Sequence, residues 1–201
     1  MLDGWARRRL DPALQRIARH LAAAGVTPNA ITLAACAGGL AAAGAIALGH
    51  EWWGLALILL SRLGDGLDGA VAAIKGRTDI GGYLDIVLDF VVYGAVPLGF
   101  AVADPASNAL AAAVLLFSFY ANGASFLAFA ILAEKRGLSS SSRGAKSLFF
   151  TTGLAEATET IAVFAAFCLV PAWFAPIAYV FAAICIYTAV SRIVLAVGTF
   201  G

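Results

Sequence analysis

Apolar residues gather into six stretches, at about 30–49, 52–74, 81–103, 109–133, 147–170 and 172–197, with short polar turns between them. Each is close to the roughly 20 residues that a helix needs to cross a hydrocarbon layer. Lipid offers no partner for an open backbone N–H or C=O, so these stretches are predicted to be membrane-spanning helices. A shorter pattern precedes them. Asp11 and Pro12 read as an N-cap and first helical residue, and Leu14, Ile17, Ala18 and Leu21 then recur on one face opposite Arg16, Arg19 and His20. That pattern predicts an amphipathic helix lying on the membrane surface, ended by the breaker segment Gly25 to Pro28. The expected fold is all-α and integral to the membrane. It is a single domain over 1–201, with 1–28 as a cytoplasmic surface helix and linker and 29–201 as a six-helix bundle.

Composition agrees with the pattern. Of 201 residues, 62% are hydrophobic and 12% charged, whereas soluble domains carry about a quarter charged residues. No room is left for a sizeable soluble domain, so any chemistry must sit among the helices. Cys36, Cys168 and Cys185 are scattered through apolar runs and read as packing residues, and His20 and His50 stand alone. A zinc site or a His-based nucleophile therefore lacks raw material. The Arg7-Arg8-Arg9 run is followed by a segment too polar for a signal peptide, so the N-terminus is expected to be retained.

The distribution of the basic residues sets an orientation. Arg7, Arg8, Arg9, Arg16 and Arg19 precede the first stretch, Lys75 and Arg77 join the second and third, and Lys135, Arg136, Arg143 and Lys146 join the fourth and fifth. The alternate turns, at His50-Glu51, Asp104-Pro105 and Pro171, carry none. The positive-inside rule then places both termini and the basic loops in the cytoplasm, and if the source is bacterial the membrane is the plasma or inner membrane. Trp5, Trp52, Trp53 and Trp173 lie near expected interfaces, as bilayer anchors do. No nucleic acid partner is expected.

Four aspartates interrupt this apolar background: Asp65 and Asp68 in the second stretch, Asp85 and Asp89 in the third. An ionisable group at a helix centre costs about 2.5 to 3.5 kcal/mol on insertion scales, so such groups need partners. Spacings of i,i+3 and i,i+4 put each pair on one helix face, roughly 10 to 15 Å from the cytoplasmic helix ends. With only Arg62 close enough in sequence to neutralise them, the clustered carboxylates point to one or two divalent metals, Mg²⁺ or Mn²⁺. Two such ions commonly serve phosphoryl chemistry. Gly64, Gly66 and Gly69 interleave with the first pair and Gly81 and Gly82 precede the second, leaving space either for a bulky ligand or for close helix packing.

The pattern Asp65-x-x-Asp68-Gly69-x-x-Ala72 followed by Gly81-x-x-x-Asp85-x-x-x-Asp89 resembles the signature of the CDP-alcohol phosphotransferases, membrane enzymes that make phospholipid head groups. Thr27-Pro28-Asn29-Ala30-Ile31-Thr32 is similar to the segment that opens their first span. One position departs: the family usually carries Arg where this chain has Ala73, with Lys75 and Arg77 as nearby substitutes. The resemblance implies that Asp65, Asp68, Asp85 and Asp89 hold the metals, and that Asp89 is also the general base. It further implies that Asn29, Thr32, Arg62, Gly69, Ala72 and Gly81 approach the CDP-linked donor. The implied reaction is transfer of a phosphatidyl group from CDP-diacylglycerol to a small polar alcohol, with release of CMP, by a homodimer in the lipid bilayer. The same motif also serves transfer of phosphocholine or phosphoethanolamine from a soluble CDP-alcohol to a lipid alcohol.

Other polar residues are candidates for the acceptor pocket: Asn122 in the fourth stretch, Arg143 and Lys146 after the Ser139–Ser142 run, and Glu156 and Glu159 in the fifth stretch. Arg62 has two readings, an aspartate partner or a diphosphate contact. A membrane cation transporter is the competing class, because intramembrane acids also mark ion paths. A path must cross both halves of the membrane, however, and here the acids are confined to one.

Overall fold

The computed structural model describes residues 3–137 and 157–201. Every described element is helical: α1 (Asp3–Ala23), α2 (Pro28–Ala47), α3 (Glu51–Lys75), α4 (Asp79–Ala103), α5 (Pro105–Lys135), α6 (Ala157–Leu169), a 3₁₀ turn (Pro171–Trp173) and α7 (Phe174–Phe200). Short polar signals end and restart the chain between them. Thr27, Thr78 and Asp104 cap α2, α4 and α5, their side-chain oxygens accepting from the backbone N–H of Ala30, Gly81 and Ser107. These caps take up donors that a helix start leaves open. Gly49 and Gly76 reverse the chain at φ of 77° and 103°, a backbone region that favours glycine.

Four of the helical stretches are long and apolar enough to cross a membrane: α2, α4, α5, and the 3₁₀ turn with α7. The chain is an integral membrane protein. The remaining two predicted spans differ for separate reasons. α3 has ample length but carries Arg62, Asp65 and Asp68 in its centre. α6 is described only from Ala157, where it supplies a short apolar helix.

The first helix departs from expectation at its start. It begins at Asp3 rather than at an Asp11 cap, with Pro12 inside it. Proline in a helix interior removes one i→i−4 hydrogen bond without preventing helix on both sides. The expected apolar face is also divided: Ala18 is fully buried, Leu14 and Leu21 half-buried, and Ile17 is exposed. Leu14 packs beside Gly66 of α3, so α1 docks on the bundle.

Small residues set the spacing of the helices around the acids. α2 and α3 run antiparallel, with Ile46 against Gly54, Ala35 against Gly64, and Thr32 bonded to Asp68. α2 and α4 run parallel, with Asn29 beside Gly81, Gly39 under Val92, and Gly99 on the Ala43 carbonyl. A Cβ on Gly99 would sit 2.6 Å from the Ala43 carbonyl oxygen, so the backbones meet there directly. Glycine at such contacts is a common device of membrane helix pairs.

The largest side chains pack at the other end of the bundle. Phe100, Phe167 and Phe174 form a buried group with ring centroids 4.6 to 5.6 Å apart, beside the turns at Asp104 and Pro171. Phe164, Phe181 and Cys185 continue this core toward the middle. All three cysteines are buried free thiols, as expected of packing residues.

Candidate active site

α3 enters the site near its C-terminal end and α4 near its N-terminal end, because the chain reverses between Lys75 and Asp79. That reversal brings the two aspartate pairs to the same depth. Asp65, Asp68 and Asp85 each offer a carboxylate oxygen, and these oxygens lie within 4.8 Å of one another. Asp68 is buried, while Asp65 and Asp85 are half-buried. The Thr32 hydroxyl on α2 donates to Asp68 Oδ2 at 2.6 Å, tying a third helix to the cluster. Carboxylates gathered this closely repel unless a cation lies between them, and an all-oxygen donor set suits a hard divalent ion. The residues therefore fit a bound Mg²⁺ or Mn²⁺.

Asp89 takes a different position. It sits on α4 one turn beyond Asp85, outside the group of three, and accepts a hydrogen bond from Arg62 Nη1 at 2.7 Å. Arg62 also pairs with Asp65 through Nη2. Its guanidinium lies over the Tyr93 ring, 5.8 Å from the centroid, within cation–π range. Arg62 is thus an aspartate partner. It also lines a small cleft of about 10 Å³ together with Thr32, Asp65, Asp85 and Asp89.

A larger cavity of about 940 Å³ opens beside the cluster, within the size range of small-molecule sites. α3 supplies one wall, from Arg62 and Asp65 through Gly69 to Ala73, and α1 supplies Leu14, Gln15 and Arg19. Arg77, Asp85 and the start of α6, at Ala157, Thr158 and Ile161, complete it. Gly69 is exposed, and nothing lies within 4 Å of where its Cβ would be, so the ligand space reaches the backbone there.

The sequence-predicted residues are distributed as follows. Thr32, Arg62, Asp65, Asp68, Asp85 and Asp89 come together, and Gly69 joins them through the cavity wall. Asn29 lies beside Gly81, where its Oδ1 would be 3.1 Å from a Cβ, so this pair closes the helix starts of α2 and α4. Ala72 is half-buried, and its neighbour Ala73 faces the cavity instead. Asn122 is held elsewhere. Its Oδ1 and backbone carbonyl accept from Arg192 Nη1 at 2.9 and 3.1 Å, and Ser125 Oγ is 2.7 Å from the same nitrogen. Glu159 is half-buried in the first turn of α6, next to the cavity residue Thr158. Arg143, Lys146 and Glu156 lie outside the described residues.

Several participants escaped the sequence reading. Tyr93 continues the Asp85–Asp89 face by one more i+4 step, so the spacing alone could have flagged it. Arg192 is, with Arg62, one of two basic residues inside the apolar stretches, and that scarcity was the signal for its half-buried polar partners Asn122 and Ser125. Arg19 lies on the face expected to be purely solvated, and only the docking of α1 on α3 brings it to the cavity.

Comparison with known proteins accords with this geometry. The family described as CDP-alcohol phosphatidyltransferase matches residues 25–197. The chain is 47% identical to the inner membrane protein YnjF of Escherichia coli (strain K12) over 193 residues, covering 96% of this chain and 94% of that one. It is 37% identical to a phosphatidylinositol phosphate synthase of Streptomyces avermitilis over 123 residues, 58% of this chain and 50% of the relative. Among solved structures, Mycobacterium tuberculosis phosphatidylinositol phosphate synthase (PgsA1) with CDP-DAG bound superposes with a TM-score of 0.72 at 23% identity, covering 90% and 91% of the two chains. The same enzyme in complex with manganese and citrate gives a TM-score of 0.71 at 23% identity, covering 90% and 87%. These structural likenesses establish the fold. With its signature acids, its helical membrane architecture and a family match across most of its length, the chain belongs to the CDP-alcohol phosphatidyltransferase family, transferases of phosphate-containing groups in phospholipid synthesis.

Proposed function

We propose that this protein transfers a phosphatidyl group from CDP-diacylglycerol to a small polar alcohol and releases CMP. The observation that carries the reading is the carboxylate triad opening on a cavity of about 940 Å³. Asp65, Asp68 and Asp85 would hold one or two Mg²⁺ or Mn²⁺ ions. When bound, the metal neutralises charge on the donor's diphosphate and on the departing CMP. Thr32 orients Asp68 from behind, as outer-shell donors do for metal ligands. Asp89, outside the triad and against Arg62, accepts the proton of the attacking hydroxyl. Gly69 and Ala73 leave the α3 wall bare for the nucleotide, and Arg19 and Arg77 supply positive charge to the same cavity.

One structurally similar enzyme, solved both with CDP-DAG bound and in complex with manganese and citrate, supports the donor and the ion. A lipid-linked donor also suits a site set among apolar helices, since its acyl chains need not leave the membrane. The surrounding reading is a single membrane domain of six spans, with termini and site facing the cytoplasm and two chains per molecule. Against the transporter alternative, the end of the bundle opposite the acids is filled, among the described residues, by Phe100, Phe167 and Phe174.

The test is CMP release from CDP-diacylglycerol by the purified protein in lipid, with Mg²⁺ or Mn²⁺, across a panel of alcohols including glycerol 3-phosphate, serine, inositol and inositol phosphate. Asp89→Asn is expected to lower turnover about 10²- to 10⁴-fold, the usual contribution of a general base. Turnover at the wild-type rate by that variant would remove Asp89 from the role. CMP formed only from CDP-choline or CDP-ethanolamine with diacylglycerol would reassign the donor.

A further inference from the structure

Arg62 occupies a position in conflict with the metal-holding role of its neighbour. Its side chain is 16% exposed and reaches Asp65 on its own helix and Asp89 on α4. The first of these carboxylates is a member of the triad; the second is outside it. One guanidinium therefore bridges the two groups, and the Tyr93 ring beneath it limits how far it can swing away. Without a divalent ion, this fork is a positive charge held against two of the four acids, Asp65 and Asp89. With one, it is a like charge touching a metal ligand. By Coulomb's law, a unit charge at roughly 6 Å from a dication changes binding by about tenfold even at the dielectric of water.

We propose that Arg62 is the site's built-in counter-cation. It clamps α3 to α4 before metal arrives, reserves Asp89 from the metal-holding group, and sets the affinity for the divalent ion below what the carboxylates alone would give. Arg62 is in this sense a positioning residue acting through Asp65 and Asp89. The proposal rests on the reading that Asp65, Asp68 and Asp85 hold a divalent ion.

The experiment titrates Mn²⁺ into the full chain in lipid nanodiscs, following free Mn²⁺ by its electron paramagnetic resonance signal, and measures thermal unfolding with chelator and with Mn²⁺. Arg62→Gln is expected to bind Mn²⁺ about tenfold tighter or more, to unfold at lower temperature in chelator, and to recover stability when Mn²⁺ is added. Arg62→Lys keeps the charge but not the fork. It is expected to return Mn²⁺ affinity to within about threefold of wild type while leaving part of the chelator-state instability. Wild-type or weaker Mn²⁺ binding by Arg62→Gln overturns the proposal, as does a loss of folding that Mn²⁺ does not rescue. Asp68→Asn separates this failure from that of the metal reading. If wild type and Asp68→Asn alike bind no Mn²⁺, the metal assignment itself falls, and the role of Arg62 with it.

Discussion

Replacing Gly99 by alanine tests whether backbone contact between α2 and α4 holds the site in shape. The new Cβ would lie 2.6 Å from the Ala43 carbonyl oxygen and 3.3 Å from its carbon. Both are backbone atoms, so no rotamer change relieves the clash. Restoring ordinary contact at about 3.4 Å requires the helices to separate by roughly 0.8 Å. Overpacking of this kind costs about 1 to 3 kcal/mol. The clash lies about 15 to 21 Å along α4 from Asp89 and Asp85 at 1.5 Å per residue, so stability is expected to fall first and turnover by less than the 100-fold that a shift of about 1 Å within a catalytic arrangement can cost. Gly69→Ala is the matched control for stability, since nothing lies within 4 Å of its new Cβ. Gly39→Ala should fall between them, because its clash at 2.6 Å is with the movable methyls of Val92. Thermal unfolding in detergent and CMP release from the same samples give both readouts. A Gly99→Ala protein as stable and as active as wild type would refute the described contact.

Thr32→Val preserves shape but removes the hydroxyl that donates to buried Asp68 at 2.6 Å, so unfolding stability should fall by about 1.5 to 3 kcal/mol. Loss of that orienting bond should also weaken Mn²⁺ binding on the order of 10- to 100-fold, measured by titration, opposite in sign to Arg62→Gln. At the turn between α4 and α5, outside the spanning segments, hydrogen bonds from Ser107 hold the Asp104 carboxyl below its usual range. Its capping contribution is therefore fully present above the ordinary carboxylate pKa and lost as pH falls through the lowered value. With the intrinsic exchange rate at each pH divided out, protection of the Ser107 amide should hold at pH 5 and fall in stronger acid, while Asp104→Ala should leave it low at both.

The apolar stretches and the acid spacing were legible in the sequence because both depend on local geometry. A helix repeats every 3.6 residues wherever it sits, so Asp65 with Asp68, and Asp85 with Asp89, had to share faces. The turn between Lys75 and Asp79 then left little choice about their common depth. Lipid made the helices themselves predictable, by forbidding open backbone polar groups. Thr27, Thr78 and Asp104 mark their starts by the chemistry of capping alone.

How each helix is rotated about its axis, and which neighbour it meets, is a tertiary matter. The sequence puts the four acids at one depth; the rotation of α3 and α4 then brings oxygens of Asp65, Asp68 and Asp85 within 4.8 Å of one another and sets Arg62 between Asp65 and Asp89. Asn122 meets Arg192 across 70 residues of chain, a pairing that only the packing of α5 on α7 makes. Arg19 reaches the cavity because Leu14 and Ala18 dock α1 onto α3, a contact to which a lone amphipathic pattern is blind. Periodicity records which residues of one helix share a face. The choice between partners belongs to the small-residue contacts at Gly39, Gly54, Gly64 and Gly99, where packing permits only certain rotations and so decides which carboxylates meet.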